Sequence, residues 1–263
     1  MELGMHFSKY ILSLGLALVC LTGSAQDRVI TVGTGSTFRP FGYLTPDNKH
    51  VGFDIDVINA IAEASKFKIN IVSTPFGALI PGLNNGDRDI AISAMTITAA
   101  RAESVDFSNP YLLAHLVVLT NPNVTEKSFA DFKTRRIGVG LGQTADTAVS
   151  EMFGKTNPNI KRFENTPLLI EELLQGGIDA AVGDVAVMGF YMKSNPEKKM
   201  RIVRDANFKE SYLGIAVKKG NKELMTKVNA GLKEIIANGK FNTIHQKWFG
   251  EPATKLPDAL PKL

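Results

Sequence analysis

The sequence predicts an α/β fold built as two α/β lobes. Three observations carry that prediction. Short β-branched runs alternate with amphipathic helical runs, the alternation starts afresh from Arg135, and two extended apolar stretches lie where the runs meet. Alternation of this kind implies largely parallel sheets with helices on both faces.

In the first run, RVITVGT reads as a strand, because β-branched side chains suit a pleated, half-buried surface. Residues 54–66, DIDVINAIAEASK, carry Val57, Ile58 and Ile61 on one helical face. KINIV is again strand-like, a helix follows around GALIPGLNNG, and RDIAISA suits a buried strand. The second run opens with RRIGVGLG (135–142), a strand entering a glycine-rich turn, and continues into a helix over Thr144–Phe153. Next come the strand NIKRF, the helix PLLIEELLQGG, the strand IDAAVGD and the helix VAVMGFYMKS. Near the C-terminus, NKELMTKVNAGLKEIIANGK sets Leu224, Val228, Leu232 and Ile235 on one face. It stops at Gly239, a residue that tolerates the left-handed turn ending many helices. HLVVLTNPN (115–123) and NFKESYLGIAVKKGN (207–221) are extended, with apolar middles, and read as connections between lobes. The expected division is a first lobe of residues 26–118 and 212–263 around an inserted second lobe of 119–211.

The N-terminus reads as a leader. Lys9 precedes the apolar run YILSLGLALVCLTG, and the small residues of GSAQD suit cleavage after Ala25, giving a signal peptide of residues 1–25. That run is short for a membrane span. Cys20, the sole cysteine, falls inside it, so the mature chain has no disulfide and no thiol nucleophile. The rival reading is a lipoprotein anchored at Cys20, but the preceding ALV lacks the small residue expected there. An exported, thiol-free chain points to the periplasm. With 44% hydrophobic and 21% charged residues, the composition is that of an ordinary globular protein. The net charge is +4 and the basic residues are scattered, so no nucleic-acid partner is expected.

GVGLGQT (138–144) lacks both the G-x-G-x-x-G spacing and a following ribose-binding acid, which argues against a dinucleotide cofactor. What remains is a strand, a tight turn and a helix start near Thr144. Backbone N–H groups there suit a small anion such as a carboxylate, and a plain strand–helix turn fits equally well. Arg101 lies just past an apolar strand, at the edge where open α/β sheets bind ligands. Its planar fork can grip a carboxylate through two hydrogen bonds; the alternative is a solvated surface arginine. Asp184 ends a strand of the other run, where it can hold a cation, cap the following helix, or do both. A cation for a carboxylate and an anion for an ammonium together describe an α-amino-acid site. Phe38 and Phe76 follow strand-like segments and serve either as aromatic walls or as core. His6, His50, His115 and His245 are dispersed without metal-ligand spacing, and no serine–histidine–acid grouping is visible, so neither metal nor catalytic residues are expected.

Taken in order, FRPFGY, VGFDIDVINAIA, FGALIPGLNNGDRDIAISAMTIT, VDFSNPYL, RIGVGLGQT, GGIDAAVGD, LGIAVKKGN and NGKFNTIHQKWFG cover about residues 28–250. As a set they resemble the periplasmic solute-binding proteins of polar amino-acid ABC importers. The resemblance implies a type II periplasmic-binding fold, two α/β lobes joined by two hinge strands and closing on ligand. It implies that Arg101 grips the ligand's α-carboxylate, helped by the N–H and hydroxyl of Thr96. Thr144 and Gln143 would add donors from the second lobe. The ammonium would meet the Ala94 carbonyl and the Asp184 carboxylate, with Phe38 and Phe76 flanking the ligand side chain and Ser93 nearby. It further implies a monomeric, non-enzymatic receptor without cofactor, whose partners are a free L-amino acid and a membrane permease.

Two positions depart from the family pattern. Gly35 stands where many relatives place an acid that contacts the ligand side chain, and Gly140 where a glutamine or lysine is common. GDVAV and the paired aromatics lean toward arginine and other basic amino acids, while the missing acid leaves glutamine or a smaller polar amino acid open. The alternative from another class is a cyclohexadienyl dehydratase-like enzyme on the same fold. That reaction needs a general acid near the second hinge; Glu210 lies in the region, but Tyr212 aligns with the catalytic position. A periplasmic sensor is a third reading, though no signalling segment accompanies it.

Overall fold

The computed structural model describes residues 28–260 and 262, so the expected leader and Cys20 lie outside the described residues. From the N-terminal side the chain forms β1 (Ile30–Thr34) and a small antiparallel meander of β2 (Thr37–Phe38), β3 (Gly42–Leu44) and β4 (His50–Val51). Then follow α1 (Phe53–Ala64), β5 (Ile69–Ser73), α2 (Leu79–Asn85), β6 (Ile90–Ala91), α3 (Ala99–Ser104) and β7 (Val105–Phe107). β8 (Leu112–Ala114) leads out of this lobe. The second lobe contains β9 (Leu116–Thr120), β10 (Ile137–Gly140), α4 (Thr144–Phe153) and β11 (Ile160–Phe163). It continues with α5 (Thr166–Leu174), β12 (Ala180–Asp184), α6 (Val185–Ser194) and β13 (Arg201–Val203). The chain returns through β14 (Ser211–Leu213), and β15 (Ala216–Lys218), α7 (Lys222–Ala237) and α8 (Lys240–Phe249) complete the first lobe.

Each lobe holds one five-stranded sheet, ordered β5-β1-β6-β15-β7 in the first and β11-β10-β12-β9-β13 in the second. The sheets are mixed rather than largely parallel. β1 runs parallel to β5 and β6, and β10 parallel to β11 and β12. β15 is antiparallel to β6 and β7, and β9 antiparallel to β12 and β13. The physical reason lies in the crossings. β9 and β15 enter their sheets directly from the other lobe, without the helical crossover that parallel pairing requires.

The two crossings form one antiparallel ribbon, with Ser211 opposite Ala114 and Leu213 opposite Leu112. Both stretches read as connectors do more than connect, because β9 and β15 are also sheet strands with buried centres.

In the first lobe α1 packs against α7 and α8. Val57, Ile58 and Ile61 are fully buried, and they face the stripe Leu224, Val228, Leu232 and Ile235 expected from its helical spacing. Gly231 permits the close approach of α7: a Cβ there would sit 2.8 Å from the Ile61 carbonyl oxygen and closer still to Ser65 Oγ. Among the described residues, no helix is long and apolar enough to cross a membrane.

Candidate functional site

The site lies where strand ends of both lobes meet. β6 delivers residues 92–98 to the first lobe's rim, and hydrogen bonds to the ribbon fix this segment. Gly214 N–H donates to the Met95 carbonyl, Ile97 N–H to that of Tyr212, and Thr96 bridges to Leu213. Ala94 adopts φ 44°, a left-handed conformation that a residue with a Cβ seldom takes. Its N–H donates to Asp54 Oδ2 at 2.7 Å, and Tyr111 OH donates to Asp54 Oδ1 at 2.9 Å. Asp54 and Tyr111 are both wholly buried. Burial pushes the Asp54 carboxyl up to about 7, against the lowering effect of its two donors.

Arg101 stands in the first turn of α3, where its N–H donates to the capping hydroxyl of Thr98 at 3.3 Å. One guanidinium nitrogen donates to the Thr96 carbonyl at 2.8 Å. The other reaches across the cleft to the Gly142 carbonyl at 3.1 Å. The guanidinium carbon lies 5.1 Å from the centre of the Phe76 ring, so the aromatic face supports the charge. Burial pushes the Arg101 pKa down to about 10, which still leaves it protonated at neutral pH. Thr96 and Thr144 approach from opposite lobes, with their hydroxyl oxygens 3.4 Å apart.

In the second lobe, the turn after β10 leads through Gly142 at φ 71° to Gln143, which occupies the N-cap position of α4 without a side-chain capping bond. The Gln143 carboxamide folds over Gly140, and a Cβ at 140 would lie only 2.6 Å from its Oε1. A polar group therefore does occupy the space over position 140, supplied from three residues on. Asp184 ends β12 and caps α6, accepting from Ala186 N–H at 2.8 Å. Its withdrawal from water pushes its carboxyl up to about 6.

Eight of the nine residues singled out in the sequence line one cavity of about 30 Å³: Phe38, Phe76, Ala94, Thr96, Arg101, Gln143, Thr144 and Asp184. Ser93 is placed elsewhere. It is buried, its Oγ accepts from Gly35 N–H at 3.0 Å, and it lines a wider cavity of about 260 Å³. Phe38, Phe76 and Gln143 border both cavities. Phe38 also stacks on Phe41 at 5.8 Å, so the wall and core roles coexist in it.

Sequence reasoning missed the ribbon's share of the lining, Ala114, His115, Ser211 and Leu213. It also missed the Asp54–Tyr111 support beneath Ala94. The acid of GFDIDV at the start of an apolar helix face was the available signal, and it reads as an ordinary first-turn acid. Among the described residues, no cluster of histidine, cysteine and carboxylate side chains is arranged to hold a metal ion.

A mixed α/β fold with a polar cleft between two lobes defines the class: this is a type II periplasmic-binding fold. The chain belongs to the bacterial extracellular solute-binding proteins, family 3, whose sequence pattern matches residues 30–251. It is 39% identical over 246 residues to a probable histidine-binding protein of Neisseria gonorrhoeae, covering 90% of this chain and 92% of that one. The arginine-, lysine-, histidine-binding protein of Geobacillus stearothermophilus superposes with a TM-score of 0.83 at 38% identity, over 86% of this chain and 97% of that one. An ancestral amino acid-binding protein described as a precursor of cyclohexadienyl dehydratase is also similar. Its TM-score is 0.77 at 34% identity, over 84% of this chain and 95% of that one.

Proposed function

We propose that this protein is a periplasmic receptor that binds a free L-amino acid between its lobes and delivers it to the permease of an ABC importer. The ligand is a polar amino acid, either basic, such as arginine, or glutamine-like. One observation carries the reading: a guanidinium from one lobe and a carboxylate from the other line the same cavity. An α-amino acid presents the complementary pair of charges. In this reading the α-carboxylate takes the place of the Gly142 carbonyl on Arg101, with Thr96, Thr144 and Gln143 as further donors. Asp184 and the Ala94 carbonyl receive the ammonium. A ligand held from both sides binds the closed form better and shifts the population toward it.

The named relatives, binding histidine or arginine, lysine and histidine, support the ligand class. The same reading includes export through the leader of residues 1–25 with Cys20 unlipidated, and a monomer. It also takes residues 26–118 and 212–263 as the first lobe and 119–211 as the inserted second; the passage from β8 to β9 at His115 supports a first crossing close to that boundary.

The protein acts without catalysis. Glu210, the acid nearest the second hinge, is 65% exposed and faces His115 at 3.7 Å, and it is not among the residues lining the clamp cavity. Tyr212 is in the ribbon, packed against the cluster of Leu79, Met95 and Ile97. A thermal-shift screen of the twenty L-amino acids tests the proposal. Ligand at a hundred times its Kd adds about 2.7 kcal/mol of apparent stability. No shift with any amino acid, together with turnover of prephenate or arogenate, would replace the receptor reading with the enzyme.

A further inference from the structure

The wider cavity shares Phe38, Phe76 and Gln143 with the clamp cavity, so it is the neighbouring space into which the side chain of a ligand held in the clamp would extend. Most of its remaining wall is uncharged and polar, including Ser36, Ser73, Ser93, Asn165 and Thr166. Among the described residues it contains one carboxylate, that of Glu164, and no lysine or arginine. We propose that Glu164 is the anionic partner of a cationic ligand side chain and sets the preference for a basic amino acid over an uncharged one of equal length. This rests on the amino-acid reading above.

The placement of Glu164 supports the role. It follows the last residue of β11, at the sheet edge that faces the cleft, and precedes Asn165, which caps α5 by accepting from Leu168 N–H at 3.0 Å. Among the described residues, no hydrogen bond or ion pair engages the Glu164 side chain, whereas its neighbours' charges are satisfied. Arg162 pairs with Asp146 at 2.8 Å and Lys161 with Glu172 at 2.7 Å. Two basic groups stand behind the opposite wall. Arg88 donates to Thr74 Oγ1 at 3.0 Å and to the Asp87 carbonyl, and the His50 ring lies 3.5 Å from Ser73 Oγ with its pKa lowered by burial.

The same geometry accounts for Gly35. A Cβ at that position would lie 2.9 Å from Ser93 Oγ, so the first lobe has no room there for an acid while Ser93 holds its present bond. The anionic partner stands instead on the second lobe, beside the start of α5, which lies against β2. A cationic side chain anchored in the clamp then meets Glu164 only when the lobes are together. The contact therefore adds to closure as well as to selectivity.

Calorimetry with L-arginine and L-citrulline tests this, because the two ligands have nearly the same shape and differ in charge. The wild-type protein should prefer arginine, and because Glu164 is exposed in the ligand-free cleft, Glu164→Gln should reduce the arginine-to-citrulline affinity ratio by roughly two- to fivefold while citrulline affinity holds. Glu164→Lys should reduce the ratio further. A purely structural acid at the N-terminal end of α5 would change the melting temperature and leave the ratio where it was. An unchanged ratio in Glu164→Gln, or a wild-type preference for citrulline, overturns the assignment of Glu164 and leaves the receptor reading standing. A wild-type protein that binds none of the twenty amino acids removes both.

Discussion

Among the described residues, Arg101 is the only arginine or lysine lining the clamp cavity, and Arg101→Ala removes it. The guanidinium has left water for two carbonyl oxygens, at 2.8 and 3.1 Å, and for the face of Phe76. Burial lowers its pKa to about 10. In the proposed binding mode a ligand carboxylate supplies the missing opposite charge, through two charge-assisted hydrogen bonds where the fork is fully used. Truncating one side of such a buried pair costs about 2–5 kcal/mol, much of it from the charge left unpaired. The Kd should therefore rise roughly thirty-fold to several-thousand-fold. The ligand-free fold should hardly notice, because the desolvation of the guanidinium disappears along with its bonds. Isothermal calorimetry with an amino acid that binds the wild type, beside a melt of each ligand-free protein, separates the two effects. Arg101→Lys should recover part of the affinity, since it keeps the charge and loses the fork. An unchanged Kd in Arg101→Ala at an unchanged melting temperature would refute the reasoning.

Protonation gives a second test. Asp184 at about 6 and Asp54 at about 7 both stand above the ordinary value of 3.8, so the folded protein retains protons that the unfolded chain has lost. Their contribution to ligand-free stability is full below about pH 4 and is lost as pH rises through about 6 to 7, which melts across that range will read. Affinity should move the other way: in the proposed binding mode the ammonium needs Asp184 ionised, so binding should weaken about tenfold per pH unit below about pH 6. Asp184→Asn should bind more weakly throughout and lose that slope. Tyr111→Phe removes a donor from the buried Asp54 carboxylate and should lower stability by about 1.5–3 kcal/mol in a urea titration. Gly35→Asp should destabilise by about 1–3 kcal/mol because its Cβ crowds Ser93, and Ser93→Gly in the same chain should recover most of the loss.

The elements were legible in the sequence where periodicity was strong. The α7 stripe Leu224, Val228, Leu232 and Ile235 is buried as its spacing requires. Arg101 and Asp184 were legible because each follows or ends an apolar strand, and strand ends are where such sheets bind ligands. Strand direction was not. Whether β9 runs with or against β12 depends on how the chain crosses between lobes, and no local pattern encodes that. The support of Ala94 was equally hidden. An alanine at φ 44° has no residue signature, and the carboxylate that holds its N–H is forty residues away on α1. The two glycine departures had a physical answer that only neighbours could supply: Gln143 fills the space over Gly140, and Ser93 fills the space beside Gly35.

A crystal structure of the protein with the amino acid that stabilises it most tests the bridging of the lobes directly. One ligand molecule should present its α-carboxylate to Arg101 and its ammonium to Asp184, with its side chain passing between Phe38 and Phe76. A ligand bound to one lobe alone, or one that leaves Arg101 on the Gly142 carbonyl, would contradict it.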